Sequence, residues 1–190
     1  MFLKSLTKTG LLTACAAVVG SIASSDGAQS RWYRALDKPA IQPPAVAFPV
    51  VWTSLYLDIA LTSAGVLSAR PRGSEVDGRA RRRGATERHG TRRGGAAERG
   101  RRRRRTDPRK GYLTALTANL VLNAGWSWVF FRQHRLLPAL GVALALALSS
   151  FDLARRAGRV RGGYGWLLVP YALWCAFATV LTARVAALND

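Results

Sequence analysis

The chain has 190 residues, 49% of them hydrophobic, and a formal net charge of +19. That length suits one ordinary domain, but the charge is not spread along it: 17 of the 29 Lys and Arg and 5 of the 10 Asp and Glu fall between Arg70 and Lys110. Reading the whole chain as a nucleic-acid binder would therefore rest on one segment. Two distant cysteines, Cys15 and Cys175, and two isolated histidines, His89 and His134, exclude a disulfide scaffold, a zinc site and a clustered catalytic set.

A helix crossing a hydrocarbon core of ~30 Å needs roughly 20 mainly apolar residues. Five stretches approach that length: Leu3 to Ala23, Ala45 to Ala69, Tyr112 to Phe131, Leu136 to Ala154 and Tyr164 to Leu188. Each ends in polar, Pro, Gly or Arg-rich sequence, as spans joined by loops should. The expected fold is all-α, a polytopic membrane protein with a bundle of five transmembrane helices. The first stretch has a second reading, a secretory signal, because Lys4 and Lys8 precede an apolar run that ends in small residues. Its apolar run continues past Cys15 to Ile22, which favours a retained helix.

Between the first two stretches runs Trp32-Tyr33-Arg34-Ala35-Leu36-Asp37-Lys38-Pro39-Ala40-Ile41-Gln42-Pro43-Pro44. Three prolines stiffen it. It reads either as an aromatic anchor at the bilayer interface or as a lid over the bundle. In the second stretch Trp52 and Tyr56 share a helix face, while Asp58, on another face, is open to three readings: neutral, paired with Arg184, or facing water.

Residues 70–110 form an insertion of Arg, Gly, Ala and Glu with too little apolar surface to offset its ordering entropy, so disorder is expected. This divides the chain into 1–69, 70–110 and 111–190. No aromatic residue interleaves Arg99 to Arg105, so base-stacking platforms are missing, and the loop reads either as a solvated insertion or as a contact for a polyanion, anionic lipid rather than nucleic acid.

In the third stretch Asn119, Asn123, Trp126 and Phe130 are spaced by four, three and four, one stripe that is polar at one end and aromatic at the other. Amides in hydrocarbon need partners, so the stripe should face protein or a cavity, either as helix-packing glue or as a ligand surface. The fifth stretch places Trp174, Ala178 and Thr182 on one face, with Tyr171 nearby. Aromatic faces with a few amides suit a flat conjugated ligand, although packing uses the same residues. Lys and Arg number 23 on the side holding the amino end and the basic insertion, against 5 on the other, which predicts the amino end in the cytoplasm.

Trp32-Tyr33 through Lys38-Pro39 with Pro43-Pro44, Val51-Trp52-Thr53-Ser54-Leu55-Tyr56, Leu122-Asn123-Ala124-Gly125-Trp126 with Phe130-Phe131, and Pro170-Tyr171-Ala172-Leu173-Trp174 with Phe177-Ala178-Thr179 succeed one another in order. Together they resemble the TspO/MBR family, the tryptophan-rich sensory or translocator proteins. The resemblance covers nearly the whole chain except the basic insertion. It implies a bacterial cell-membrane bundle, often a homodimer, that binds porphyrin or haem as ligand and needs no obligate cofactor or metal. It also implies a ligand pocket built from Trp32, Tyr33, Trp52, Tyr56, Asn119, Asn123, Trp174 and Ala178. Trp126 joins them from the stripe on the third stretch. No catalytic residue is carried over, although some relatives are reported to degrade porphyrin. Ile41 stands where the family usually has Trp, and Thr182 where it usually has Asn. A sensory or regulatory role is the first expectation; a transporter of porphyrin or another hydrophobe, or a scaffold binding polyanions through the basic loop, are the alternatives.

Overall fold

The computed structural model describes residues 2–69 and 108–189 and is all-helical over them. The basic insertion, with the disorder expected of it, lies outside the described residues for positions 70–107. Helix α1 spans Phe2–Ala28, the short α2 Arg31–Ala35, α3 Ala47–Ser68 and α4 Pro108–Ser127, which runs on into a π-helical turn, Trp128–Arg132. Helix α5 spans Leu136–Val160, α6 Gly162–Leu167 and α7 Val169–Leu188. Four helical stretches are long and apolar enough to cross a membrane: α1, α3, α5 and the run Gly162–Leu188 that joins α6 to α7.

The outward side chains confirm what kind of solvent these helices face. Leu57, Leu61, Leu144, Leu148, Leu173 and Val180 are each more than half exposed in mid-helix, whereas a bundle stable in water would put polar groups there. Helices that are apolar on every face belong in lipid. The interior is instead small and polar in places, with Thr9, Ser63, Asn119, Asn123, Ser150 and Thr182 all buried. Helix α4 is less apolar than the other long helices. Its first turn holds Arg109 and Lys110, and it carries the two buried asparagines.

Long helices consecutive in the chain run antiparallel, and α1, α3 and α4 are pinned at one end. Thr9 Oγ1 donates to Ala60 O at 2.9 Å, joining the start of α1 to the end of α3, and Ser63 and Tyr112 hydroxyls bond at 2.9 Å between α3 and the start of α4.

The sequence boundaries need four corrections. The first stretch runs on from Ala23 to Ala28. The third stretch begins at Pro108 rather than Tyr112 and finishes as a π turn, closed by Gln133 N–H donating to Trp128 O at 3.1 Å. The fourth runs on to Val160, so Arg155, Arg156 and Arg159 sit on its last turns instead of in a loop; Asp152, one turn back, pairs with the first two. The fifth is broken at Leu168, because Pro170 at the start of α7 has no N–H with which to continue the ladder.

Where α6 folds back against α5 the backbones nearly touch. A Cβ on Gly165 would lie 2.9 Å from Gly158 Cα and 3.0 Å from Ala154 O, and these backbone atoms have no side-chain freedom to yield. Gly165→Val should therefore lower the thermal unfolding midpoint in detergent, by a destabilisation of about 1–3 kcal/mol. Gly163→Val, whose Cβ would meet nothing within 4 Å, should leave the midpoint unchanged, as monitored by circular dichroism.

Candidate ligand site

Away from the pinned end, α1 and α3 separate, and a cavity of about 730 Å³ fills the wedge between them. Its floor is where the wedge closes. A Cβ on Gly20 would lie 3.5 Å from Ser127 Oγ and 4.0 Å from Tyr56 Oη, ordinary van der Waals separations that place α1 against α4 there. The α1 wall presents Ser21, Ser24, Ser25 and Gln29; the α3 wall presents Phe48, Trp52, Thr53 and Tyr56. Helix α4 and its π turn close the back with Asn123, Trp126, Phe130 and Phe131, and α7 contributes Leu181, Thr182 and Val185. Tyr33 and Gln42 of the α1–α3 connection stand at the mouth.

The π turn sets the aromatic wall. Inserting one extra residue into the last turn rotates the side chains beyond it, and Trp126 and Phe130 come out stacked, with centroids 5.4 Å apart and planes at 23°. Phe131 packs on Gly27, where an added Cβ would fall 2.5 Å from Phe131 Cβ. The turn is tied to α1 by three donors. Trp128 Nε1 reaches Val19 O at 3.1 Å, and Arg132 Nη2 reaches Ile22 O at 3.2 Å and Asp26 Oδ2 at 3.0 Å.

The lid is equally fixed. Ser30 caps α2 by accepting from Tyr33 N, and Gln42 Nε2 donates to Tyr33 Oη at 3.3 Å, closing the proline-rich turn on the helix. Burial pushes the Tyr33 phenol above its ordinary pKa against the opposing pull of the Gln42 hydrogen bond, so it is neutral at pH 7. Asp37 and Asn189 exchange two hydrogen bonds at 2.9 Å, from Asp37 N to Asn189 Oδ1 and from Asn189 Nδ2 to Asp37 O, fastening the lid to the end of α7.

Below the floor a single chain of hydrogen bonds crosses the bundle. Tyr56 Oη donates to Asn123 Oδ1 at 2.6 Å, Asn123 Nδ2 to Tyr171 Oη at 3.4 Å, Tyr171 Oη to Asn119 Oδ1 at 2.7 Å and Asn119 Nδ2 to Ser150 Oγ at 3.0 Å. Ser150 Oγ ends it by donating to Leu146 O at 2.8 Å. Four helices are joined through groups that lipid-like surroundings would leave costly if unpaired.

Of the nine residues expected at the site, Tyr33, Trp52, Tyr56, Asn123 and Trp126 line the cavity. Trp32 sits outside it, stacked on His134 at 4.2 Å and edge-on to Phe130 at 5.7 Å. Asn119 serves the hydrogen-bond chain, fully buried. Trp174 packs behind the wall, its ring 6.5 Å from Trp52 and 6.0 Å from Phe48, and Ala178 accepts from Thr182 Oγ1 through its carbonyl at 2.8 Å. The indole N–H groups of Trp126 and Trp174 are buried without an acceptor among the described residues. Asp58 accepts from Thr62 on its own helix at 2.9 Å. Sequence reasoning missed the hydroxyl wall of α1, whose signal was Ser21, Ser24 and Ser25 at helical spacing inside an apolar run. Ser150 and the hub role of Tyr171 also went unread.

Apolar helices packed around an aromatic-walled cavity define a multi-pass membrane protein with an internal cavity. The chain belongs to the TspO/MBR family, whose profile matches residues 9–188. It is similar to the uncharacterized membrane protein YtaB of Bacillus subtilis, 28% identical over 83% of this chain and 80% of that one. Protein CrtK of Rhodobacter capsulatus is 28% identical over 93% of this chain and 87% of its own. The tryptophan-rich sensory protein of Cereibacter sphaeroides is 27% identical over 94% and 88%.

Removing the Tyr171 hydroxyl strands an acceptor on Asn119 and a donor on Asn123. Tyr171→Phe is expected to cost about 1–2 kcal/mol, read as a lower midpoint of thermal unfolding. Ser54→Ala, which removes only an exposed bond to Val50 O of the same helix, is the matched control and should not shift it.

Proposed function

We propose that this is a tetrapyrrole-binding sensory or regulatory protein of the bacterial membrane, with porphyrin or haem as its ligand. The observation that carries the reading is the cavity between α1 and α3, lined by the aromatic rings of Trp52, Trp126 and Phe130 and by the hydroxyls of Ser21, Ser24 and Ser25. A volume of about 730 Å³ falls within the roughly 300–1,000 Å³ usual for small-molecule pockets. Aromatic rings in the lining suit contact with a planar conjugated system. The orphaned Trp126 N–H beside the cavity is a donor that lacks a partner among the described residues. A relative named for sensing supports the sensory role.

Helix α4 serves as the fifth span in this reading: its π turn extends it to Arg132, and Arg109 and Lys110 lie at its opposite end. The amino end and the basic insertion then face the cytoplasm, where lysine and arginine accumulate, and the insertion meets anionic lipid headgroups. A homodimer is the proposed assembly.

Titrating the detergent-purified protein with protoporphyrin IX, monitored by tryptophan quenching and the Soret band, tests the ligand. Saturable binding is expected, weakened about tenfold by Trp52→Ala, which removes a ring from the wall. Trp174→Ala should weaken it less, since that ring acts only by supporting Trp52 and Phe48. Non-saturable quenching that is unaffected by a correctly folded Trp52→Ala variant would overturn the tetrapyrrole reading.

A further inference from the structure

The two ends of the cavity offer a ligand opposite hydrogen-bond chemistry. At the floor, the polarity of the buried chain is set at its far end, where Ser150 has only acceptors for its hydrogen: Leu146 O at 2.8 Å, which only accepts and takes it, and the weaker Cys175 Sγ at 3.5 Å. Each step is then fixed in turn: Ser150 accepts from Asn119, Asn119 from Tyr171, Tyr171 from Asn123 and Asn123 from Tyr56. The Tyr56 hydrogen is committed inward, and what Tyr56 Oη keeps for a ligand is a lone pair. The α1 wall repeats the pattern, since Ser21 Oγ spends its hydrogen on Val18 O at 2.9 Å.

At the mouth the arrangement is reversed. Tyr33 Oη accepts from Gln42 and so retains its own hydrogen for an acceptor. The Lys38 ammonium lies 4.9 Å from the Tyr33 ring centroid and uses two of its three hydrogens on Leu36 O at 3.0 Å and Arg34 O at 3.4 Å. Arg31 and Arg34 are exposed on the same short helix. No charged side chain stands among the described residues that line the cavity itself. A carboxylate is acceptor-only. At the floor it would lose its hydration beside the Tyr56 lone pair with no cation among the lining residues; at the mouth it finds a donor and a cation.

We infer that the cavity takes a planar carboxylate-bearing ligand in one orientation, its anionic edge at the mouth beside Tyr33 and Lys38 and its uncharged edge against Tyr56 at the floor. The inference rests on the tetrapyrrole reading and adds to it the edge that enters first and the residue that holds the acid groups.

The experiment compares protoporphyrin IX with its dimethyl ester on the full-length protein in detergent, as wild type, Lys38→Gln and Lys38→Arg. An exposed ion pair contributes little, so Lys38→Gln is expected to raise the Kd of the diacid about two- to fivefold and leave that of the ester unchanged. Lys38→Arg should bind the diacid as wild type does, and added salt should weaken the diacid alone. Equal weakening of acid and ester by Lys38→Gln would make Lys38 a lid-holding residue and overturn the orientation. So would no weakening of either, while saturable ester binding left the tetrapyrrole reading standing. Failure of both compounds to bind saturably would remove that reading, and the orientation with it.

Discussion

The hydrogen-bond chain from Tyr56 to Leu146 O is the constraint on which the rest of the bundle depends. In lipid there is no hydrophobic force to press helices together, and packing plus a few polar contacts must do it. Here those contacts are gathered into one continuous line through α3, α4, α7 and α5, so no helix of that set can rotate without breaking a bond next to an apolar wall. Tyr171 and Asn119, both fully buried, are its centre. Every member has its partner, which makes a buried polar network an asset; a half-satisfied one would cost more than an apolar core.

The wedge arises from where the helices are held. Thr9 and Ser63 close one end of α1, α3 and α4. At the other end α1 is held to the π turn through main-chain carbonyls and Asp26, while α3 enters from the proline-rich connection. Between these anchors α1 turns mostly small or hydroxyl side chains toward the aromatic face of α3, and the two helices enclose space instead of filling it. The lid is then a short helix stapled at three places, to Ser30, to Gln42 and to Asn189. Its stiffness comes partly from Pro39, Pro43 and Pro44 and partly from those staples.

The helices and five of the residues on the cavity wall were legible in the sequence because they depend on local rules. Apolar run length shows spans, and spacing of three or four shows a face. Asn119 and Asn123 were correctly read as one buried stripe. Spacing does not say that one would serve structure alone while the other also borders the cavity, because that depends on where Tyr56 and Tyr171 arrive from other helices. Trp174 illustrates the same limit. Its face was read correctly, yet another indole, Trp52, stands between it and the cavity. The π turn and the break at Leu168 were missed for a different reason. Each is a departure from regular hydrogen bonding of a residue or two, within stretches whose hydropathy is continuous. The proline at 170 carried the signal for the second; nothing in Trp128-Val-Phe-Phe-Arg132 marked the first.

That the structural chain and the cavity share Tyr56 and Asn123 ties the chemistry of the site to atoms far from it. A hydroxyl in isolation turns to suit whatever approaches. The Tyr56 hydroxyl is not in isolation: its hydrogen is directed inward by a sequence of single-choice bonds that begins at a carbonyl on α5. Tyr56 Oη thus meets the cavity as an acceptor because of Leu146 O, and the Tyr56 side chain does not by itself decide this. The same bonds that hold four helices together in lipid set the hydrogen-bond character that a ligand meets at the bottom of the wedge, so stability and selectivity are, in this bundle, properties of one network.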